Sequence, residues 1–323
     1  MESSTQPLSP EEGRDPVAQT AWRALLAAGA WASEQADKTT EPVSFGIGPD
    51  GGLLPVPANS RHAWLKWSPA ARWVSTAFTP SAARPLFDLY LPVSAASARR
   101  PLTIGHLGQS LDGFIATGSG DSYYVTGPAN VLHLHRLRAL CDAVIVGAGT
   151  VERDDPQLTV RHAEGSHPAR VILDPQRRLS PDRQVFRDPD VPTVLVCADH
   201  APEPAATLPV EIIALPAPNG RLPLAMLLEH LHSRGWHSVF VEGGGATVSS
   251  FLEAGLLDRL QIAIAPLVIG TGRPGIRLPA RGAIADALRP AHRVFTMGGD
   301  VLFDCDLRAP AGQYPSTALG RVL

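Results

Sequence analysis

Residues 143–150, AVIVGAGT, decide how this chain folds. The four apolar residues AVIV fit a strand buried on both faces, and Gly147 and Gly149 follow at once. A glycine turn between a strand and a helix leaves the backbone bare. A ligand can then approach it and meet the free N–H groups of the helix start. A second turn of this kind lies in residues 238–250, SVFVEGGGATVSS. Neither matches the G-x-G-x-x-G of a dinucleotide-binding fold, and each alone fits a plain tight turn as well as a ligand site. Two such turns in one sheet point to a nucleotide site.

Working outward, strands alternate with helices. Residues 102–107 read as a short strand. Residues 128–140 read as a helix, with Val131, Leu134, Leu137 and Cys141 at helical spacing. Downstream, VIL (171–173) and VLVC (194–197) read as strands. Residues 224–234 read as a helix stopped by Gly235, 247–254 as a helix and 260–265 as a strand. Residues 294–303 read as a closing hairpin around Gly298-Gly299-Asp300. The pattern predicts an α/β fold: a mostly parallel sheet with helices on both faces and an antiparallel edge hairpin, preceded by a small N-terminal module.

That module differs in composition. Five of the 6 tryptophans lie in it: Trp22, Trp31, Trp64, Trp67 and Trp73. Residues 21–32 suit a short helix and 46–52 a hairpin or loop. The tryptophans fit the core of the module, the alternative being an aromatic ligand or partner surface. SAASARRP (94–101) reads as a linker. The expected organisation is a disordered leader over 1–20, the Trp-rich module over 21–98, the α/β domain over 99–310 and a tail over 311–323.

Composition excludes several functions. The chain has 323 residues, 44% hydrophobic and 18% charged, which is globular. No apolar run approaches the ~20 residues of a membrane span. The first twenty residues are polar and acidic (Glu2, Glu11, Glu12, Asp15) and do not resemble a secretory signal. A soluble, cytoplasmic protein is expected. A net charge of -3 argues against nucleic-acid binding. The only lysines are Lys38 and Lys66, so the last two thirds lack a phosphate-loop or Schiff-base lysine. Anions there must be held by arginines, backbone N–H groups or hydroxyls. Cys141, Cys197 and Cys305 are odd in number and far apart, which excludes a disulfide framework and a four-cysteine zinc site. The 11 histidines contain no H-E-x-x-H, and His133 and His135, two apart, fall on different faces of a helix; no metal is expected.

A dense polar stretch surrounds the first glycine turn. It includes Ser110-Leu111-Asp112-Gly113, residues 122–128, Arg136, Arg138, Thr150, Asp154, Asp155, Leu158, Thr159 and Arg161. Each arginine alone is as readily a solvated side chain. Paired arginines beside strand-end hydroxyls suit a phosphorylated small molecule. The motifs SLDG (110–113), TGPAN…HRLRALCDAVIVGAGTV (126–151), DDPQLTVR (154–161), ARVILD (169–174), VEGG (241–244) and DRLQIAIAPLVIG (258–270) stand in one order. Together they resemble the reductase half of the riboflavin-biosynthesis deaminase-reductases, a family of dihydrofolate-reductase-like fold. The resemblance covers residues 101–307.

The resemblance implies NADPH-dependent reduction of the ribosyl group of 5-amino-6-(5-phosphoribosylamino)uracil to a ribityl chain. It places Ser122, Arg138, Leu158, Arg161 and Glu242 at the substrate, with the arginines at its phosphate. It places Gly108, Tyr124, Thr150, Asp154, Gly244, Gly245, Ala246, Thr247, Val248, Ser249 and Ser250 at the nucleotide. Glu242 and Asp154 are the candidates for proton handling or for orienting polar groups. It also implies a tendency towards homodimers. Tyr124 stands where the family often has tryptophan, which keeps an aromatic face. Pro175 stands where it often has serine, and removes a hydroxyl and an N–H near the adenosine ribose. Arg177 or Arg178 is then the candidate for the 2′-phosphate. Asp174, at a strand end, would instead suggest NADH by analogy with ribose-binding acids; the family favours NADPH. The zinc chemistry of the deaminase half needs H-x-E and P-C-x-x-C. Residues 1–100 hold no cysteine and a single histidine, His62, so deamination is excluded. Two alternatives stay open: a reductase of the same fold acting on a pterin, folate or other heterocycle, and a non-catalytic nucleotide-binding scaffold.

Overall fold

Asp15 and Pro16 start a helix where the leader was expected to continue. The computed structural model describes residues 15–122, 125–202 and 210–309. In it the Asp15 carboxylate accepts from the Val17 N–H at 2.8 Å, and Pro16 sits in the first turn, where its missing N–H costs nothing. Helix α1 (Pro16–Gln35) buries Ala21, Leu25, Ala28 and Ala32 along one stripe. Residues 16–20 are thus helical, and the helix outruns the expected 21–32 at both ends.

Four short strands follow, β1 (Val43–Ile47), β2 (Leu53–Val56), β3 (Leu65–Ser68) and β4 (Arg72–Ser75), and then α2 (Arg84–Tyr90). The strands form an antiparallel sheet in the order β2-β1-β3-β4, with residues 46–52 in the β1–β2 hairpin as expected. Trp31, Trp67 and Trp73 meet edge to face with ring centroids 5.2 Å apart, beside Phe45. These tryptophans are core. Residues 94–101 are not a loose linker. Ser97 is fully buried; its hydroxyl donates to Asp37 at 2.9 Å and accepts from Arg72, and the Arg99 N–H donates to the other Asp37 oxygen.

The remaining elements run β5 (Leu102–Ser110), β6 (Phe114–Thr117), α3 (Pro128–Leu140), β7 (Ala143–Gly147), α4 (Ala148–Asp154), β8 (Ala169–Leu173), β9 (Thr193–Ala198), β10 (Glu211–Leu215), α5 (Leu224–Ser233), β11 (Ser238–Glu242), α6 (Gly245–Glu253), β12 (Arg259–Ala265), β13 (Gly272–Pro274), β14 (Ala291–Met297) and β15 (Asp300–Asp306). The sheet order is β10-β9-β8-β7-β11-β5-β12-β15-β14. Strands β10 to β12 are parallel, and the β14–β15 hairpin adds the antiparallel edge. Val144, Ile145 and Val146 are wholly buried, as a strand covered on both faces requires. Helices α5 and α6 cover one face. Helix α3 and the N-terminal module cover the other and share one apolar cluster with it. No helix among the described residues is long and apolar enough to cross a membrane.

Helix α3 departs from the apolar stripe expected of it. Val131 is exposed, while Asn130, His133, His135 and Arg138 are buried with Leu137. The helix lies between sheet and module, so its polar residues are enclosed and must find partners. Asp304 accepts from Gln261 Nε2 at 3.1 Å, which turns Gln261 Oε1 towards His133 Nε2 at 2.8 Å. His133 therefore donates from Nε2, and its Nδ1 accepts from the Tyr90 hydroxyl at 2.7 Å. Burial lowers the His133 pKa to about 4. Burial, then the charges of Arg138, His162 and Arg161, lowers that of His135 to about 3.

Tyr90→Phe leaves His133 Nδ1 buried without a donor and should cost about 1–3 kcal/mol in urea unfolding. His133 and His135 are neutral in both states above pH 6.5 but take up protons only when unfolded below it. Stability should therefore fall as pH drops from 6.5 towards 4, by about 1.4 kcal/mol per pH unit for each histidine. His133→Gln should flatten that slope.

Candidate active site

Strands β7, β11 and β5 end side by side, and there the chain's crossovers diverge: β7 leads outward to β10, while β11 leads over β5 to β12. Such a switch point opens a crevice at the carboxyl edge of a parallel sheet. Both glycine turns lie in it and interlock. Thr150 Oγ1 accepts from the Gly244 N–H at 3.1 Å, and a Cβ on Gly147 would stand 2.7 Å from Thr247 Oγ1. Gly243 takes φ +150, which disfavours any side chain. The Arg153 guanidinium lies 3.3 Å from where a Cβ of Gly149 would stand.

A flap formed by β6 and β13 closes over the second turn. The Gly275 N–H donates to the Gly113 carbonyl at 2.9 Å, and a Cβ on Gly245 would fall 1.8 Å from the Gly275 carbonyl oxygen. Asp112, in the SLDG loop, braces this end by accepting from Ser110 and from the Ile269 and Gly270 N–H groups. Asp154 stands near Arg153 and Arg273 of the flap. Protein crowding raises its carboxyl above the usual range, and the two arginines pull against this.

Beneath the turns lies a polar floor. Arg138 Nε and Nη2 donate to both oxygens of Glu242, at 2.7 and 2.5 Å, and Nη1 donates to the Thr159 carbonyl at 3.0 Å. Arg161 donates from Nη1 to Thr159 Oγ1 at 2.7 Å, and its backbone N–H to His135 Nδ1 at 3.0 Å. Burial and the charge of Arg138 both lower the Arg161 pKa. Asp155 (φ 40) and Leu158 (φ 57) hold the connecting segment in the left-handed region, strain of the kind that gathers at functional sites.

The structure thus brings Arg138, Arg161, Glu242, Leu158, Thr150 and Asp154 to one edge. Gly108 joins them: a Cβ there would meet Thr126 at 2.7 Å, where β5 passes the start of α3. Gly244 and Thr247 are half-buried in the crevice, Gly245 is buried beneath the flap and Ala246 is exposed. The side chains of the next three turn elsewhere. Val248 packs in the core, Ser249 Oγ accepts from the Arg277 N–H at 2.8 Å, and Ser250 Oγ donates to the Ala246 carbonyl. Ser122 is exposed. Tyr124 lies outside the described residues. Asp174 does not present its carboxylate to a ribose: it is fully buried and accepts from the Leu179 N–H at 2.9 Å. Arg153, Arg273 and Asn130 were not singled out from sequence. Asn130 is buried beside Gly108, with Nδ2 donating to Thr126 Oγ1 at 2.9 Å. Asn130 closes the TGPAN motif, and that motif was the signal in the sequence that could have found it.

A switch-point crevice with interlocked glycine turns and an arginine-bearing floor is built for an anionic, nucleotide-type ligand, and the relatives of this chain make it an oxidoreductase of dihydrofolate-reductase-like architecture that takes a nicotinamide cofactor. More narrowly, the chain belongs to the RibD C-terminal domain family, whose model matches residues 101–289. It is 36% identical over 212 residues to the 2,5-diamino-6-ribosylamino-4(3H)-pyrimidinone 5′-phosphate reductase of Methanothermobacter thermautotrophicus, covering 64% of this chain and 97% of that protein. It is 32% identical over 195 residues to the riboflavin biosynthesis protein RibD of Escherichia coli, covering 56% of this chain and 53% of that one, about half its length. Among solved structures, a deaminase/5-amino-6-(5-phosphoribosylamino)uracil reductase from Thermotoga maritima aligns with a TM-score of 0.56 and 27% identity, covering 69% of this chain and 61% of that one. The N-terminal module lies outside the family match.

Glu242→Ala should strand the buried Arg138 cation and cost about 3–5 kcal/mol in denaturant unfolding. Arg161→Ala, which removes a side chain that reaches solvent and bonds, among the described residues, only to the neutral Thr159 and Gln157 side chains, should move stability by no more than about 0.5 kcal/mol.

Proposed function

We propose that this chain reduces the ribosyl group of 5-amino-6-(5-phosphoribosylamino)uracil to the ribityl chain, with NADPH as cofactor. The observation that carries this reading is the positive floor beside the glycine turns. There two guanidinium groups, Arg138 and Arg161, share the single carboxylate of Glu242, which Arg138 holds at both oxygens, so the Arg161 cation is left without an acidic partner among the described residues. That one net positive charge suits the sugar phosphate. Arg138 is committed to Glu242, so Arg161 carries the direct phosphate contact and Arg138 acts as its fixed neighbour. Both Glu242 oxygens are engaged by Arg138, which suits a carboxylate that orients sugar hydroxyls.

The residues present fit the cofactor. The interlocked glycines leave main chain bare along the crevice, and Arg153 and Arg273, without ion pairs among the described residues, suit its phosphates. Asp174 is turned inward and does not oppose a 2′-phosphate, and Arg178, exposed at the same strand end and 3.9 Å from Glu152, is the arginine suited to it. When bound, NADPH supplies a hydride to the sugar C1′. Asp154, whose carboxyl is raised in pKa by burial, is the residue suited to pass the accompanying proton to the ring oxygen or the linking nitrogen.

A second reading, the 2,5-diamino-pyrimidinone as substrate, is favoured by the 97% coverage of the archaeal reductase. The chemistry at the sugar is the same for both. Loss of NADPH absorbance on adding each substrate tests both, with dihydrofolate as a control for a repurposed site. No loss with either pyrimidine at high enzyme concentration would overturn the proposal. Arg161→Ala should raise KM with little change in kcat, by the worth of a charge-assisted bond, ~1.5–3 kcal/mol.

A further inference from the structure

At the opposite end of the sheet, a cavity of about 390 Å³ opens where the N-terminal module meets the first residues of β5 and β12. Strand β5 has 9 residues, so this cavity is about 26 Å from the carboxyl edge, too far to share its ligand. Arg72, Arg100, Arg259 and Arg308 line it against only two carboxylates, Asp258 and Asp306. Arg308 pairs with Asp258, and Arg259 with Asp304 and Asp306. Arg100 is exposed and has no carboxylate partner among the described residues.

Arg72 is held there at a conformational cost. Its φ of +58 lies in the left-handed region, where glycine or asparagine would sit without strain. Its guanidinium stacks 4.4 Å from the Trp67 ring centroid and donates to the Ala95 carbonyl and Ser97 Oγ, both neutral. Burial, then the charge of Arg100, lowers its pKa, with Asp37 opposing. The remaining wall is apolar: Trp73, Leu91, Pro92 and Leu102. Trp73 is buried, and its indole N–H has no acceptor among the described residues.

We propose that this cavity binds a phosphate monoester with an aromatic or apolar organic part, the phosphate on Arg100 and Arg72 and the organic part against Trp73 and Leu91. A small molecule so placed bridges module and sheet.

The probes are phenyl phosphate and inorganic phosphate, titrated calorimetrically into the full chain in phosphate-free buffer. The Arg161→Ala background weakens anion binding at the reductase site. Arg161→Ala should still bind one equivalent of phenyl phosphate, more tightly than inorganic phosphate. Adding Arg100→Ala should weaken binding about tenfold or more, and Arg100→Lys in its place should largely restore it. Absence of binding to Arg161→Ala, or indifference to Arg100→Ala, would overturn the proposal, and equal affinity for the two probes would overturn the aromatic or apolar assignment. Arg100→Ala alone should keep reductase turnover, which reports its fold and leaves the outcome independent of the substrate proposed above.

Discussion

A two-pronged ion pair, Arg138 with Glu242, joins the end of α3 to the end of β11 where both side chains are almost out of water. Such a pair adds little net stability, because desolvation offsets attraction, but either charge left alone is expensive. Its effect is therefore geometric. It sets α3 against the strand that carries the second glycine turn. Through the Thr159 carbonyl it also fixes the strained segment from Asp155 to Leu158, and with it the height of Arg161. Shifting any one of these elements would strip the pair of a partner. The crevice is held open by electrostatics beneath and by interlocked glycines above.

The strands were legible where burial on both faces leaves a run of apolar residues, as in AVIV, and the closing hairpin where Gly298-Gly299 marks its turn. Strand β10 was missed although Ile212-Ile213-Ala214-Leu215 is an apolar run: it is only four residues long, lies between Pro209 and Pro216, and sits at the sheet's edge with Ile212 and Ala214 exposed. The three-pair ladder of β6 with β13 has no local pattern; it exists because Gly272 and Gly275 let backbones touch. Helix α3 was legible as a helix but not in its buried face. Its period suggested apolar contacts, whereas the partners of His133 and Arg138 lie on distant elements, Gln261 on β12 and Glu242 on β11. The members of the site came from motif order. Their division of labour did not: nothing in the order of residues says that Arg138 is spent on Glu242, or that Ser249 is turned to Arg277.

The tryptophan-rich module is the least expected part. Its rings pack on one another, and Trp22 reaches across to donate to the Glu164 carbonyl at 3.0 Å. Arg23 adds an exposed pair with the Glu164 side chain, worth little by itself. The attachment rests on apolar packing and on the line of hydrogen bonds from Tyr90 through His133 and Gln261 to Asp304, where Arg259 and Arg293 also meet. A segment outside the family match is thereby wired into the face of the sheet that bears the floor of the site.

One apolar cluster runs from Ala21 near the beginning of the chain to Leu302 near its end. Translation delivers those partners in order. When the ribosome has released the module, the apolar flank that meets α3 and the sheet is covered only in part as α3 emerges, and its cover is complete when β15 emerges some two hundred residues on, ~10–40 s at ordinary elongation rates. For that interval the nascent protein presents a sticky surface to its neighbours, and the growing polypeptide depends on chaperone shelter or on speed to reach its final form.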